Sequence, residues 1–578
     1  DIAATDNRLK TNRFIGNFFA QVNFTEHFNY RLNIGYDAKN SNQYSWLGSQ
    51  TAKGIQAGST TGKGTHTWGR NESRLMDNIF TYSNQWGDHR MSLTGVYSWQ
   101  DYKFNTSSMS GNFSNDAIAA HDFSAVDQAS LVASSDYYSN RLISWTARAT
   151  YAFKDKYLLT ATIRFDGSSR FGADSKWGTF PSVGLAWRAS EEGFLKDNDV
   201  VTNLKIRGSY GITGNQEIGN YQYLARYSVS SNDMSHMANM GDAGYSHLLS
   251  PKAYNPNIKW ETTTTYNVGV DFGFLGDRIT GNVDAYLRNT DDLLNSVLTP
   301  MGSNFGNTVL TNVGSMQNKG IEFALNVIPV QTTDWHLSIG VNGTFQDTKF
   351  TKLNATDDEN YYIQTSGISH GTGSYVGRHQ VGYAPYSYWV FKQLYDQDGM
   401  PIQNAFVDLN EDGVINNDDR YCAGDPNPDF YYGLNVKLSY KNWDFGFNGH
   451  GSIGYKVFND FASNHSTAYF DVNAGNLPNF ATAVKRTGFT QISGDYQFFS
   501  DFYLENASFF RMDDINLGYT FKEIGNWQGN IRVAASCQNV FVITNYSGID
   551  PEINSTDGVD RTFWPRPRTF SVRLNVNF

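Results

Sequence analysis

The chain closes on Thr569-Phe-Ser-Val-Arg-Leu-Asn-Val-Asn-Phe578. Successive side chains of a strand point to opposite faces. Phe570, Val572, Leu574, Val576 and Phe578 therefore share one face, and Ser571, Arg573, Asn575 and Asn577 share the other. The apolar face runs to the last residue, an aromatic. Chain ends fray in water unless they are tied down, so a soluble domain seldom ends on its most hydrophobic strand. A buried last strand in a soluble sandwich is one reading. A strand of a transmembrane β-barrel is the other, and the dyad repeat favours it.

The same alternation recurs upstream. In Arg278–Arg288, Ile279, Gly281, Val283, Ala285 and Leu287 alternate with polar residues; Trp335–Gln346 and Tyr432–Tyr440 behave alike. Each segment is near the ~9–11 residues that a tilted strand needs to cross a bilayer. Trp335, Phe345, Tyr432 and Tyr440 stand at the ends of apolar faces, where an interfacial girdle belongs. Strands are predicted near 13–24, 29–40, 76–86, 91–103, 141–153, 157–167, 177–189, 203–212, 262–274, 278–290, 315–328, 334–347, 430–441, 443–455, 504–521, 529–543 and 568–578. The expected fold is all-β: a transmembrane antiparallel β-barrel domain over 1–578, with 17 strands in this chain.

Short and long connections alternate. Turns near 25–28, 87–90, 154–156, 275–277, 329–333 and 442 separate long loops near 41–75, 104–140, 213–261, 291–314, 348–429, 456–503 and 544–567. The pair 168–176 and 190–202 breaks the rule. Outer-membrane barrels alternate this way, with short periplasmic turns and long outer loops. The first and last strands read here both run inward, and single-chain bacterial barrels have an even strand number. An odd number of strands is thus expected before Arg13, and the terminal strand should seal against one of them. The chain opens on Asp1-Ile-Ala-Ala-Thr-Asp, without the basic start or apolar core of an export signal. Either a signal was removed or the chain begins internally.

Composition agrees. Of 578 residues, 15% are aromatic and only 17% charged, with 53 Gly and 13 Pro, a mixture suited to strands and turns. Mean hydropathy is −0.48, and no apolar run approaches the ~20 residues of a membrane helix. The net charge of −11 argues against a nucleic-acid partner. Two cysteines, Cys422 and Cys537, make no disulfide scaffold.

One local motif carries metal chemistry. Asp408-Leu-Asn-Glu-Asp-Gly-Val-Ile-Asn-Asn-Asp-Asp419 opens like a calcium loop, with oxygen-bearing residues at alternate positions and Gly413 at the sharp turn. The candidate ligands are Asp408, Asn410, Asp412, the Val414 carbonyl, Asn416 and Asp419, for Ca²⁺ ahead of Mg²⁺ in a structural role. Asp419 replaces the usual Glu. The alternative is an Asx-rich turn without metal. No catalytic constellation holds up. Gly367-Ile-Ser-His-Gly371 lacks the strand and helix of a nucleophile elbow, and Ser369, His336 and His450 have no nameable partner. Among the loop aromatics Tyr361, Tyr362, Tyr386, Tyr388, Trp389 and Tyr395, substrate contact is expected from Tyr386, Tyr388 and Trp389; packing against another protein is the competing reading.

Several stretches come together from residue 164 onward. They are Arg164-Phe-Asp-Gly-Ser-Ser-Arg-Phe-Gly172, Trp177-Gly-Thr-Phe-Pro-Ser-Val-Gly-Leu-Ala-Trp187 and Gly208-Ser-Tyr-Gly-Ile-Thr-Gly-Asn-Gln216. Asn312-Val-Gly-Ser-Met-Gln-Asn-Lys-Gly-Ile-Glu322, Gly424-Asp-Pro-Asn-Pro-Asp-Phe430, Gln538-Asn-Val-Phe541 and Thr544-Asn-Tyr-Ser-Gly-Ile-Asp-Pro-Glu552 follow. As an ordered set they resemble the SusC-like branch of the TonB-dependent outer-membrane transporters. The resemblance implies a 22-stranded barrel in the full protein, with an N-terminal plug, a TonB-contacting segment and first strands that have no counterpart here. It implies TonB-driven import of glycan or peptide fragments, a SusD-like surface lipoprotein as lid, and a dimer of such pairs. It carries no catalytic residues. A passive porin and an outer-membrane enzyme are the alternatives.

Overall fold

Hydrogen-bonded ladders dominate the computed structural model, which describes all residues except 1–3, 52–61, 114–115, 117–121, 197, 230–236, 240–244, 248, 300–307, 355–357, 359, 370–372, 469–480, 491–494, 525–526, 562–563 and 578. Its contacts divide into two units: Asp1–Leu185 with Gly211–Thr262 and Leu294–Asn312, and Ala186–Tyr210 with Thr263–Leu293 and Val313–Phe578. Among the described residues seventeen strands belong to one antiparallel sheet.

In the first unit, β1 (Thr5–Asn23), β2 (Phe28–Leu47), β3 (Gly62–Trp86), β4 (His89–Phe113), β5 (Val132–Phe153) and β6 (Tyr157–Ser168) pair in succession. Next in the chain come β7 (Trp177–Arg188), β8 (Val201–Asn215), β9 (Glu261–Phe274), β10 (Ile279–Leu298) and β11 (Thr308–Gln331). In the second unit β11 continues into β12 (Trp335–Lys352), β13 (Phe430–Tyr440), β14 (Trp443–Ile453), β15 (Phe509–Ile524), β16 (Trp527–Thr544) and β17 (Thr569–Asn577), each paired with the one before.

Every predicted strand has its counterpart, but several reach further than the alternation foretold. The loops expected at 41–75 and 104–140 are shortened from both sides, because β2 runs on to Leu47, β3 begins at Gly62, β4 runs on to Phe113 and β5 begins at Val132. Strands β3 and β4 hold 25 residues each, far beyond the ~9–11 that cross a bilayer. Outside lipid the ladder persists but one face no longer has to be apolar, so Asn40, Ser41, Asn42 and Gln43 lie in β2 without a periodic signal. The strand expected at 504–521 also divides. Leu504–Asn506 pairs with Lys456–Asn459, and β15 starts afresh at Phe509.

The sheet is inverted relative to a soluble protein. Phe80, Leu93, Trp145 and Ile163 are exposed in the first unit, and Val283, Ile321, Phe345, Leu517 and Val533 in the second. On β17, Phe570 and Val572 are 75% and 81% exposed. So large a display of apolar side chains marks a surface covered by something other than water. The charged residues behave oppositely. Asp284 is only 6% exposed, and both its oxygens accept from Arg207 at 2.5 Å while Arg207 Nε donates to Asp271 at 3.0 Å. Arg532 is held by Asp444, with its Nε 3.0 Å from Oδ1.

This inversion predicts an asymmetric response on β16. Val533→Arg should cost about 2–4 kcal/mol in a lipid bilayer, as charges on a lipid face do near the midplane. Ser536→Arg, on the alternate face, should cost far less. Urea titration of folding into vesicles checks both.

Candidate functional site

The connections after β12, β14 and β16 do not hang as separate loops. Tyr362–Gly367, Tyr375–Gln380, Ser387–Phe391 and Arg420–Cys422 form a four-stranded sheet within the first. Lys456–Asn459 from the second pairs in parallel with Val559–Asp560 from the third. One core draws on all three: Val376, Tyr388, Val390 and Phe391, then Phe458, Phe499 and Tyr503, then Val559. Burial of these side chains folds the connections into a single loop domain.

Tyr388 is central to that core. It is fully buried, and its hydroxyl donates to the Gly558 carbonyl at 2.8 Å and the Lys456 carbonyl at 3.2 Å. Gly558 sits at φ +75°, and a Cβ there would run into the Tyr388 hydroxyl and the Pro426 ring. The expectation that Tyr388 touches substrate is therefore corrected: its ring is spent on packing. Tyr386 is half-buried, at φ +62° and edge-on to His379 at 4.7 Å. Trp389 is half-buried under the Arg378 guanidinium, 3.0 Å from the ring centroid, and meets Tyr383 edge-on at 5.4 Å.

The calcium-like loop is wrapped by its own backbone. Asp408 Oδ2 accepts from Gly413 N–H at 2.7 Å, Asn410 Oδ1 from Asp412 at 3.1 Å, Asp412 Oδ1 from Val414 at 2.8 Å and Asn416 Oδ1 from Asp418 at 2.8 Å. Buried Asp419 accepts from Leu409, Asn410 and Asn416, bonds that hold its carboxyl below the usual range. Gly413 takes φ +81° at the turn. The fit to a cation is partial. Asp408 Oδ1 is buried without a hydrogen-bond partner, yet among the described residues no three carboxylates are grouped tightly enough to hold a metal.

Sequence reasoning missed a cavity of about 480 Å³ lined by Asn459, Phe461, Arg486, Ile549 and Asp560 among others. That volume lies in the range of small-molecule sites. Phe461 and Ile549 are exposed, while Arg486 is fixed by Ser547 at 2.5 Å and Glu505 at 3.2 Å. Its walls come from distant stretches, Asn459 and Ser547 standing 88 positions apart, so no local signal announced it.

Arg511 was missed as well, although the stretches it joins were conspicuous. It donates to Asn539 at 2.7 Å, Asp550 at 2.5 Å and Glu552 at 3.1 Å, and Arg566 adds a 2.6 Å bond to Glu552. His450 lies between Asp513 at 2.6 Å and Glu552 at 3.3 Å. These are carboxylate partners, and among the described residues no hydroxyl nucleophile is bonded to the ring. Ser369 Oγ donates to Asp460 at 2.5 Å, not to a histidine. His336 stands on β12 opposite Ser439. Residues 370–372 of the Gly-Ile-Ser-His-Gly stretch lie outside the described residues.

An apolar face turned outward, ion pairs on the polar face and a cored cap of loops define an outer-membrane β-barrel. The chain belongs to the TonB-dependent receptor family: the family model "TonB dependent receptor-like, beta-barrel" matches residues 2–540. It is 43% identical over 450 residues to the TonB-dependent receptor SusC of Bacteroides thetaiotaomicron, covering 76% of this chain and 44% of that one. It is 29% identical over 603 residues to the TonB-dependent receptor P3 of Formosa agariphila, covering 98% and 58%. The chain thus spans about half the length of the curated relatives it matches. The structure of the RagAB peptide transporter shares the fold at a TM-score of 0.83 and 20% identity, over 100% of this chain and 63% of that one. The protein resides in the outer membrane of a Gram-negative bacterium.

Burial drives the His379 imidazole, packed on Phe350 and Tyr386, down from 6.5 to about 4. The unfolded segment takes a proton below about 6.5 and the folded one only below about 4, so local stability falls as pH drops through that window. Hydrogen exchange of Tyr362–Gln380, corrected for intrinsic rate, should be faster at pH 5 than at pH 7.5. His379→Phe should flatten the difference.

Proposed function

We propose that the protein is a TonB-driven importer of oligosaccharide or oligopeptide fragments, working with a SusD-like lipoprotein that closes over the loop domain. The observation that carries this reading is the co-folding of three connections into one cored domain with a 480 Å³ cavity. A ligand chamber needs walls that hold their shape, and a shared core supplies them. Membership of the TonB-dependent receptor family supports the energy source. Likeness to a receptor named SusC supports the lipoprotein partner.

In this reading the lid lipoprotein closes over bound substrate, and TonB-driven movement of a plug then opens the path through the barrel. The plug and TonB contact would come from residues other than these 578. Two such transporter–lipoprotein pairs would associate as a dimer. Uptake of labelled oligomers by cells expressing the transporter should stop when TonB is deleted. Uptake that persists without TonB would instead make the protein a passive porin. Mild purification should recover a surface lipoprotein in stoichiometric amount.

For Asp408–Asp419 we propose a structural Ca²⁺, with Mg²⁺ the weaker candidate. Asp408, Asn410, Asp412, the Val414 carbonyl, Asn416 and Asp419 would hold it, because oxygens that accept one N–H keep a lone pair for a cation. Millimolar Ca²⁺ should raise the melting temperature of the loop domain, and Asp412→Asn should abolish the rise. Insensitivity of the wild type to chelator would overturn the assignment.

A further inference from the structure

Two arginines stand on the four-stranded sheet of the loop domain, and among the described residues neither is paired with an acid. Register sets Arg378 opposite Ser387 and Arg420 opposite Phe391. Residues 387, 389 and 391 share one face of the small sheet, so Arg378, Trp389 and Arg420 share it too. The Arg378 guanidinium lies 3.0 Å from the Trp389 ring centroid and 4.7 Å from that of Tyr362. The Arg420 guanidinium lies 4.2 Å from Phe499 and 5.0 Å from Phe391.

Stacking occupies the flat faces of a guanidinium and leaves its donors, which lie in the plane, free to point elsewhere. Arg420 directs one of them to the Tyr375 carbonyl at 3.1 Å. Arg378 Nε, Arg420 Nε and Trp389 Nε1 are buried and have no acceptor among the described residues. All three are donors only. The partly buried arginines elsewhere in the same unit are arranged differently: Arg207, Arg511 and Arg532 each hold carboxylates. Among the described residues neither Arg378 nor Arg420 has an ion pair, although the chain carries a net charge of −11. Burial lowers both, Arg420 to about 10, and the charge of Arg378 lowers Arg420 further. Tyr362, Tyr383 and Tyr496 stand exposed around them, so the face opens to solvent.

The group that completes such a set is planar, anionic and rich in acceptors. A carboxylate meets a guanidinium edge through two parallel hydrogen bonds. We propose that the face built by Arg378, Arg420, Trp389 and Tyr362 is a subsite for a carboxylate-bearing residue of the imported oligomer. The carboxylate belongs to a uronic acid or to an acidic amino acid; the chemistry at the arginines is the same. This inference rests on the import reading, since it assigns a subsite to the same loop domain.

The test uses the full-length transporter purified with its co-assembled partners. Trigalacturonate and triglutamate are titrated beside galactotriose and triglutamine. One acid should bind at least about tenfold tighter than its neutral counterpart, as expected for a bidentate charge-assisted pair, and added salt should weaken it. Which acid responds identifies the source of the carboxylate. Arg378→Gln and Arg420→Gln should each remove the preference, and Arg378→Lys should restore it in part. Equal binding of acidic and neutral oligomers, or acid affinity unchanged in both Gln variants, overturns the proposal. The wild-type comparison stands even if a variant fails to fold. Uptake of neutral oligomers with no acid preference would remove the subsite and leave the importer. TonB-independent uptake would remove the importer whatever the acid preference.

Discussion

An N–H or C=O left unpaired in hydrocarbon has no water to turn to, at a cost of several kcal/mol per group. The rest of this structure depends on that constraint. It is met by long antiparallel ladders, of which β3 with β4 and β4 with β5 are the longest runs among the described residues. A continuous ladder forces side chains onto two alternating faces. Lipid on one face then selects Phe570, Val572 and Leu574, and the other face is left to polar residues. Charges there cannot be left alone, because an unpaired charge away from bulk water is costly. Arg207 accordingly holds Asp271 and Asp284, and Arg532 holds Asp444.

Beyond the bilayer the constraint changes. Water again satisfies backbone groups, and burial of apolar side chains becomes the force that shapes the chain. The connections after β12, β14 and β16 fold by that rule, around Tyr388, Phe391, Phe458 and Val559. One chain thus follows two opposite rules, apolar-out in its strands and apolar-in in its cap. Arg511 lies where the two meet. It stands on β15 and holds Asn539 of β16 together with Asp550 and Glu552 of the connection that follows.

The legibility of the sequence follows the same division. Where lipid imposes a period of two, the strands could be read from residue order: Trp335–Gln346 lies within β12 and Tyr432–Tyr440 within β13. Where the ladder leaves lipid the period fades, and by residue order alone the outer reaches of β2 to β5 resemble loops. Asn539 and the Asp550-Pro-Glu552 run stood out as residues of a family pattern. Their common partner, Arg511, was one arginine among many until the strands were paired.

The sequence by itself determined the class of fold and the family, because alternation and ordered motifs are properties of neighbouring residues. It also supplied the Asp408–Asp419 loop, whose bonds are nearly all local. Only the tertiary structure decided what the aromatic loop residues do. Tyr388 and Trp389 are adjacent in the chain, yet one is sealed in a core and the other lies under Arg378. The cavity beside Phe461 and the arginine pair were likewise decided by packing between distant segments. Hydrophobic burial and charge compensation act on neighbours in space, and residue order alone does not name those neighbours.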